Sequence, residues 1–123
     1  MGTIARATYR VASVGIFSVL GVIDAIGPCA AGPGGTVYGW IEFIERGGKV
    51  RRLKKLAAGP EIARLIEPAA IGTWYVHEVY GSHRMLGVER ADGPRALDYD
   101  AIHACIPYWL AELRASRARI TAH

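Results

Sequence analysis

An uninterrupted apolar stretch near the N-terminus constrains this chain more than any other feature. No charged residue occurs between Arg10 and Asp24. As a helix, residues 8–27 would span about 30 Å, which matches the hydrocarbon core of a bilayer. Pro28 follows, so such a helix would end near residue 26 or 27. The pattern predicts an N-terminal membrane-anchor helix.

The free energy of membrane insertion depends on where Asp24 lies in that helix. The strongly apolar side chains favour insertion by roughly 4 kcal/mol in total, and a central Asp would cost about 3 kcal/mol. If the helix begins near Thr8, Asp24 lies close to the headgroups, where the penalty is smaller. Two alternatives stay open for residues 11–26. They could form a buried core element of a soluble domain, or a cleaved export signal with Arg6 and Arg10 as its basic n-region.

Small residues recur along the apolar segment at positions that would share one face of a helix. They are Gly15, Ser18, Gly21 and Ala25. The last two form a small-xxx-small pair, which lets a second helix approach closely. We therefore expect the anchor to dock onto another membrane-protein subunit or onto a second copy of itself.

The remainder of the chain predicts a linker followed by a small α+β domain. Residues 28–35 are rich in Gly and Pro, which is typical of a linker. Within residues 36–123, we expect a small antiparallel sheet with short helices, including a hairpin that pairs residues 73–80 with 84–90. An amphipathic helix that begins at Asp100 closes the domain. The predicted fold class is thus α+β, with domains at 1–27, 28–35 and 36–123.

A basic run lies early in the predicted domain. Six of the ten residues from 46 to 55 are basic, namely Arg46, Lys49, Arg51, Arg52, Lys54 and Lys55. Beside a membrane helix, such a cluster favours binding to anionic headgroups or to an acidic partner surface. In a soluble protein the same run could contact nucleic-acid phosphates, but a membrane anchor makes nucleic acid an unlikely partner. A plain solvated face is the third possibility.

No motif in the sequence predicts catalysis or a cofactor. His77, Glu78 and His103 form a weakly supported polar site, because the spacing of the histidines does not match a zinc-protease motif. We predict no catalytic residue, no metal site and no cofactor. Cys29 and Cys105 do not amount to a disulfide framework, and their pairing stays open.

These patterns together predict a non-enzymatic, single-pass membrane protein. It would serve as an accessory or structural subunit of a larger membrane assembly, with its C-terminal domain in the cytoplasm by the positive-inside rule. The alternative is a soluble α+β ligand-binding module or small enzyme. In that case residues 11–26 would form the core or an apolar pocket.

Overall fold

The fold is mainly β-sheet in a computed structural model that describes residues 14–121. Within the last helix, side chains are described up to residue 107 and at residues 110, 111 and 114. The strands are β1 (Val14–Ile26), β2 (Cys29–Gly32), β3 (Gly35–Glu45), β4 (Val50–Ala58), β5 (Ile71–Val79), β6 (Ser82–Arg90) and β7 (Arg95–Leu97). The helices are α1 (Pro60–Ala63) and α2 (Tyr99–Thr121).

Five of the strands close into a ring. Strand β1 pairs antiparallel with both β3 and β5, β3 pairs with β4, and β5 pairs with β6. A short parallel pairing between β4 and β6 completes the ring. Strands β2 and β7 extend it beside β3 and β6. This order, with α1 between β4 and β5, is that of an OB-fold, a five-stranded Greek-key sheet.

The apolar N-terminal segment is strand β1, so the predicted membrane-anchor helix is wrong. Its side chains alternate as a strand requires: Val19 and Ile23 are buried in the core, whereas Leu20 is 45% exposed. The run is apolar on both faces and rich in Val and Ile, and such a run cannot be told from a buried helix by periodicity alone. None of the helices in the described residues is long and apolar enough to cross a membrane. The predicted α+β class, with its transmembrane helix, is therefore replaced by a mainly β fold.

The four small residues predicted to dock a helix lie on β1 instead. Gly15, Ser18, Gly21 and Ala25 therefore do not share a helical face. Gly21 lies where β1 is flanked on both sides, opposite Glu45 of β3 and Gly72 of β5. A Cβ atom at Gly21 would lie less than 3.0 Å from the carbonyl oxygen of Ile44. Glycine is required there by the close approach of two backbones.

Strand β4 departs from simple alternation. Leu53 and Leu56 are both buried although three positions separate them, a spacing that by itself suggests a helical turn. Lys55 has a φ of 51°, in the left-handed region. The strand therefore keeps its pairing with β3 while the side-chain direction reverses at this residue, and Lys54 and Lys55 are both exposed.

The ring encloses one hydrophobic core. Its largest fully buried side chains come from β1, β3, β4, β5 and β6, and Ile62 of α1 joins them. A smaller cluster holds the start of α2 on the outside of the sheet, where Leu86 packs against Ala101 and Cys105. Leu86 faces outward because the pairing of β5 with β6 contains a bulge after Tyr75.

Three predictions from local sequence concern the β5–β6 hairpin, residues 28–35 and the closing helix. The hairpin of β5 and β6 confirms the predicted pairing, with Tyr80 and Gly81 as its turn. The predicted linker contains β2, which pairs with β3. The closing helix exists, but its cap is Asp98 rather than Asp100: the amide of Ala101 donates to Asp98 Oδ1 at 3.0 Å.

Candidate functional site

The excess positive charge of the chain lies in a single hairpin. Residues 35–58, which form β3, β4 and their turn, contain six basic and two acidic residues. The net charge of the whole chain is +4 at pH 7, so the rest of the sequence carries equal numbers of acidic and basic residues. We call residues 35–58 the basic hairpin.

Trp40 lies at the centre of the outer face of the basic hairpin. The guanidinium of Arg52 lies over the Trp40 ring, 4.2 Å from the ring centroid. Arg52 also donates to Glu42 Oε2 from Nε at 3.2 Å and from Nη2 at 3.0 Å. The pairing of β3 with β4 sets Glu42 directly opposite Arg52 and Trp40 opposite Lys54. Arg52 is thus held in place by an aromatic ring and a carboxylate.

Backbone also packs against the Trp40 ring. A Cβ atom at Gly27 would lie less than 3.0 Å from three atoms of the ring. Contacts from Arg52 and from Gly27 therefore reduce the indole surface that is available for stacking.

Four of the cations in the basic hairpin are exposed and form no ion pair within the described part of the chain. They are Arg46, Lys49, Lys54 and Lys55. Elsewhere, Arg84 faces Asp98 at 3.7 Å and Arg90 contacts Glu67 and Asp92, whereas Arg95 and Arg114 are exposed without an ion pair in the described residues. The basic hairpin therefore differs from the rest of the described surface in holding four such cations within one hairpin.

Polar and aromatic side chains contact one another where β4 lies close to β1 and β6. The guanidinium of Arg51 lies 4.8 Å from the ring centroid of Phe17 and 4.0 Å from Glu45 Oε1. The His83 ring packs edge-on against Phe17, with centroids 6.3 Å apart. His83 Nδ1 lies 2.6 Å from the carbonyl oxygen of Lys54, which is the geometry of an N–H donating to that carbonyl.

This cluster has a structural explanation. Backbone pairing of β4 with β6 covers only Leu56 with His83 and Ala57 with Arg84. The hydrogen bond from His83 extends that short pairing by one further link. The other nitrogen of the His83 ring, Nε2, lies 3.8 Å from Glu78 Oε1. Both the hydrogen bond and the aromatic contact join residues far apart in sequence, so no local pattern predicts them.

The structure does not assemble the weakly supported polar site. Glu78 lies near His83, at one end of the ring of strands. His77 lies on the other face of β5, on the same side as Tyr75 and the start of α2. His77 is 7% exposed, and its burial lowers the pKa of the imidazole below the ordinary value. His103 is exposed on α2. In the described residues, no group of three or more potential ligands could hold a metal ion.

The two cysteines are free thiols and do not pair. Cys29 is exposed on β2, and Cys105 is a buried residue of α2. Burial raises the pKa of the Cys105 thiol, so this residue is a poor nucleophile and acts as packing.

The basic residues were predicted from their spacing, but their roles were not. The spacing does not reveal that Arg52 is bound by Glu42 while Lys54 and Lys55 stay free, because that division depends on the register between β3 and β4. Comparison with protein-family models, with characterised proteins and with solved structures finds no match for this chain. Its function must therefore be argued from the site itself.

Proposed function

We propose that this protein is a non-catalytic module that binds single-stranded nucleic acid on the basic hairpin. One observation carries the proposal: the entire net charge of +4 is concentrated in residues 35–58, where four exposed cations lack a partner in the described residues. A basic domain whose cations cluster on one face has the electrostatic footprint of a nucleic-acid-binding protein. The sequence pI of about 9.3 agrees with that description.

Because residues 14–26 form a strand, nucleic acid is a better-supported anionic partner than a lipid surface. The expectation of anionic lipid depended on a membrane helix next to the cluster, and that segment is β1. Without the helix, phosphates along a flexible polymer are the better match for cations spread over a turn and a strand. A polymer can contact Lys49 and Lys54 at once, although they are five residues apart on β4 and its turn.

The architecture supports the location of the proposed site. OB-folds bind oligonucleotides on the face formed by the second and third strands of their ring. Strands β3 and β4 hold those positions here, since β2 lies outside the ring. This argument rests on analogy between folds, so it supports where a ligand would lie and adds no chemistry of its own.

The geometry around Trp40 predicts how the ligand is held. Arg52 and Gly27 already pack against the indole, so we expect base stacking on Trp40 to contribute little. Binding would instead depend on contacts from Lys54, Lys55 and the turn cations to phosphates. Such contacts position a strand without reading its sequence. We therefore expect strong dependence on salt and little preference among bases.

The dependence of affinity on salt tests this proposal. For single strands, the slope of log K against log salt is about −0.7 per neutralised phosphate, so four cations predict about −2.8. Between about 50 and 200 mM salt, affinity should fall roughly fiftyfold. The double variant Lys54→Gln/Lys55→Gln should reduce the slope by about 1.4. The measurement is fluorescence anisotropy with a labelled oligothymidylate of about 12 nucleotides.

A matched control removes the same charge from elsewhere. Arg64, which caps the C-terminal end of α1 and pairs with Glu61, and Arg95 on β7 are both exposed and lie outside the basic hairpin. The double variant Arg64→Gln/Arg95→Gln should keep the wild-type slope. If both double variants lower the slope equally, only net charge matters and the proposed site is wrong. Binding to phosphatidylserine vesicles without binding to the oligonucleotide would also refute the proposal, in favour of a lipid surface.

A further inference from the structure

The cations of the basic hairpin do not by themselves distinguish a single strand from a duplex. Contacts to phosphates position a nucleic acid without reading its bases. A duplex carries one negative charge per about 1.7 Å of its axis, so the same cations would bind it as well. Selection of single strands requires a group that contacts an unpaired base. Trp40 is a poor candidate, because Arg52 and Gly27 already pack against its ring.

Two large aromatic side chains are mostly exposed in the part of the chain that the structure describes. Tyr80 is 69% exposed at the turn between β5 and β6, and Tyr99 is 73% exposed at the start of α2. Tyr99 lies in a cleft whose charged lining residues are mainly acidic, namely Glu61, Asp98, Asp100 and Arg84. An acidic cleft repels phosphates, so Tyr80 is the better candidate to contact a base.

The β5–β6 hairpin brings Tyr80 next to the free cations of β4. His83, which follows the turn, contacts the carbonyl oxygen of Lys54 through Nδ1 at 2.6 Å and is paired in register with Leu56. Three residues, and so at most about 10 Å of chain, separate Tyr80 from His83. Lys54 and Lys55 are both exposed. The Tyr80 ring and these two cations therefore lie close enough to contact one short strand together.

The backbone conformation of Tyr80 is unfavourable for a tyrosine. Its φ of 50° lies in the left-handed region, at a turn position that favours Asn, Asp or Gly. Within the described residues, the Tyr80 ring contacts no other aromatic ring and its hydroxyl makes no hydrogen bond. The described fold therefore gains no polar or aromatic contact in return for this conformation. Residues held in such conformations cluster at ligand-binding sites.

We propose that Tyr80 stacks on an unpaired base of the strand whose phosphates the basic hairpin binds. This inference rests on the proposed nucleic-acid function and adds the group that selects single strands. Every base has a flat π face, so stacking raises affinity with little preference among bases. Glu78 lies near the same turn, 3.8 Å from His83 Nε2, so the turn adds no positive charge to the site. Its contribution is the aromatic ring.

Tyr80→Asn tests the ring without weakening the fold, because Asn is favoured at this position of the turn. Removal of a stacking aromatic weakens binding roughly 5- to 150-fold per base, and we expect about tenfold with an oligothymidylate of about 12 nucleotides. The slope of log K against log salt should stay the same, because the same phosphates are neutralised. Tyr80→Phe should bind within about twofold of wild type, since it keeps the ring. An unchanged affinity of Tyr80→Asn would overturn the proposal.

Two controls separate stacking from a general loss of binding. Tyr99→Asn removes an exposed tyrosine from the acidic cleft and should leave the affinity unchanged. An abasic oligomer of the same length keeps the phosphates and lacks bases, so Tyr80→Asn should not alter its affinity. Stacking is wrong if Tyr80→Asn weakens the abasic oligomer as much as the oligothymidylate, or if Tyr99→Asn has the same effect as Tyr80→Asn.

A duplex of the same length measures the selection directly. Its bases are already stacked on their neighbours, so Tyr80→Asn should leave duplex affinity unchanged and lower the preference for single strands about tenfold. An equal loss for the duplex would contradict the proposal. If Lys54→Gln/Lys55→Gln reduces the salt slope while Tyr80→Asn has no effect, the cation site stands and stacking alone is overturned. If the wild-type protein does not bind oligothymidylate, both proposals fail.

Discussion

Replacement of Gly21 by alanine distinguishes strand β1 from the helix that the apolar pattern suggests, because the two structures predict opposite signs. Inside a helix, alanine is more favourable than glycine by about 1 kcal/mol. In β1, the added methyl group would lie within 3.0 Å of the Ile44 carbonyl oxygen and of the Cα atom of Glu45. These are backbone atoms, so no side-chain rotation relieves the contact.

The loss in the free energy of unfolding depends on how far the backbone of β3 can move to relieve the contact. Strand β3 is paired with β1 on one side and with β4 on the other, so its backbone is held from both directions. Overpacking of a well-packed site costs about 1–3 kcal/mol, and a contact with backbone on a central strand belongs at the upper end. A loss of about 3 kcal/mol lowers the Tm of a domain of this size by roughly 12 °C.

Urea unfolding monitored by intrinsic fluorescence gives the free energy of unfolding, and a thermal scan by circular dichroism gives the Tm. Gly15→Ala is the matched control, since it changes the same residue type on the same strand and a Cβ atom there meets nothing within 4 Å. It should alter stability by less than about 0.5 kcal/mol. A Gly21→Ala variant as stable as wild type, or more stable, would refute the close approach of β1 to β3.

Two further predictions concern the β5–β6 hairpin and the buried histidine. Tyr80 and Gly81 form a two-residue turn with φ values of 50° and 84°, as a type I′ turn requires, and Tyr80 is 69% exposed. Tyr80→Asn should therefore raise stability by about 0.5–1 kcal/mol in urea unfolding, and a lower stability would contradict the turn type. Burial lowers the pKa of His77, so the unfolded chain binds the proton more tightly than the folded protein does. Stability from this residue is present above the ordinary histidine pKa of about 6.5 and is lost as pH falls below it. His77→Gln should reduce the drop in Tm between about pH 7.5 and pH 5.5, and an unchanged drop would contradict this assignment.

The elements that local sequence predicts are those whose partners are close along the chain. The hairpin of β5 and β6 confirms its prediction because its two alternating segments are joined by a two-residue turn. The closing helix was also predicted, although its cap is Asp98. The spacing of Leu53 and Leu56 misleads, because the left-handed φ of Lys55 is a property of the folded backbone and has no signature in the pattern.

In the candidate site too, the sequence identifies some features and the tertiary structure decides the others. The sequence identifies the six cations between residues 46 and 55, and their concentration follows from composition alone. Which of them are free depends on cross-strand register, which pairs Glu42 with Arg52 and leaves Lys54 and Lys55 exposed. Tyr80 lies beside Lys54 only because β6 pairs with β4, which is distant in sequence.

The sequence by itself determines that the apolar run at residues 11–26 favours burial, because exposing apolar surface to water is unfavourable. Tertiary structure alone decides which of its side chains are buried and against what. Strand β1 finds its partners across tens of residues, with Gly21 opposite Glu45 on one side and Gly72 on the other. Those pairings satisfy its backbone, its inner face joins the core, and its outer face stays partly exposed. An apolar run favours burial in either a helix or a strand. This run forms a strand because distant segments of the chain supply partners for its backbone hydrogen bonds.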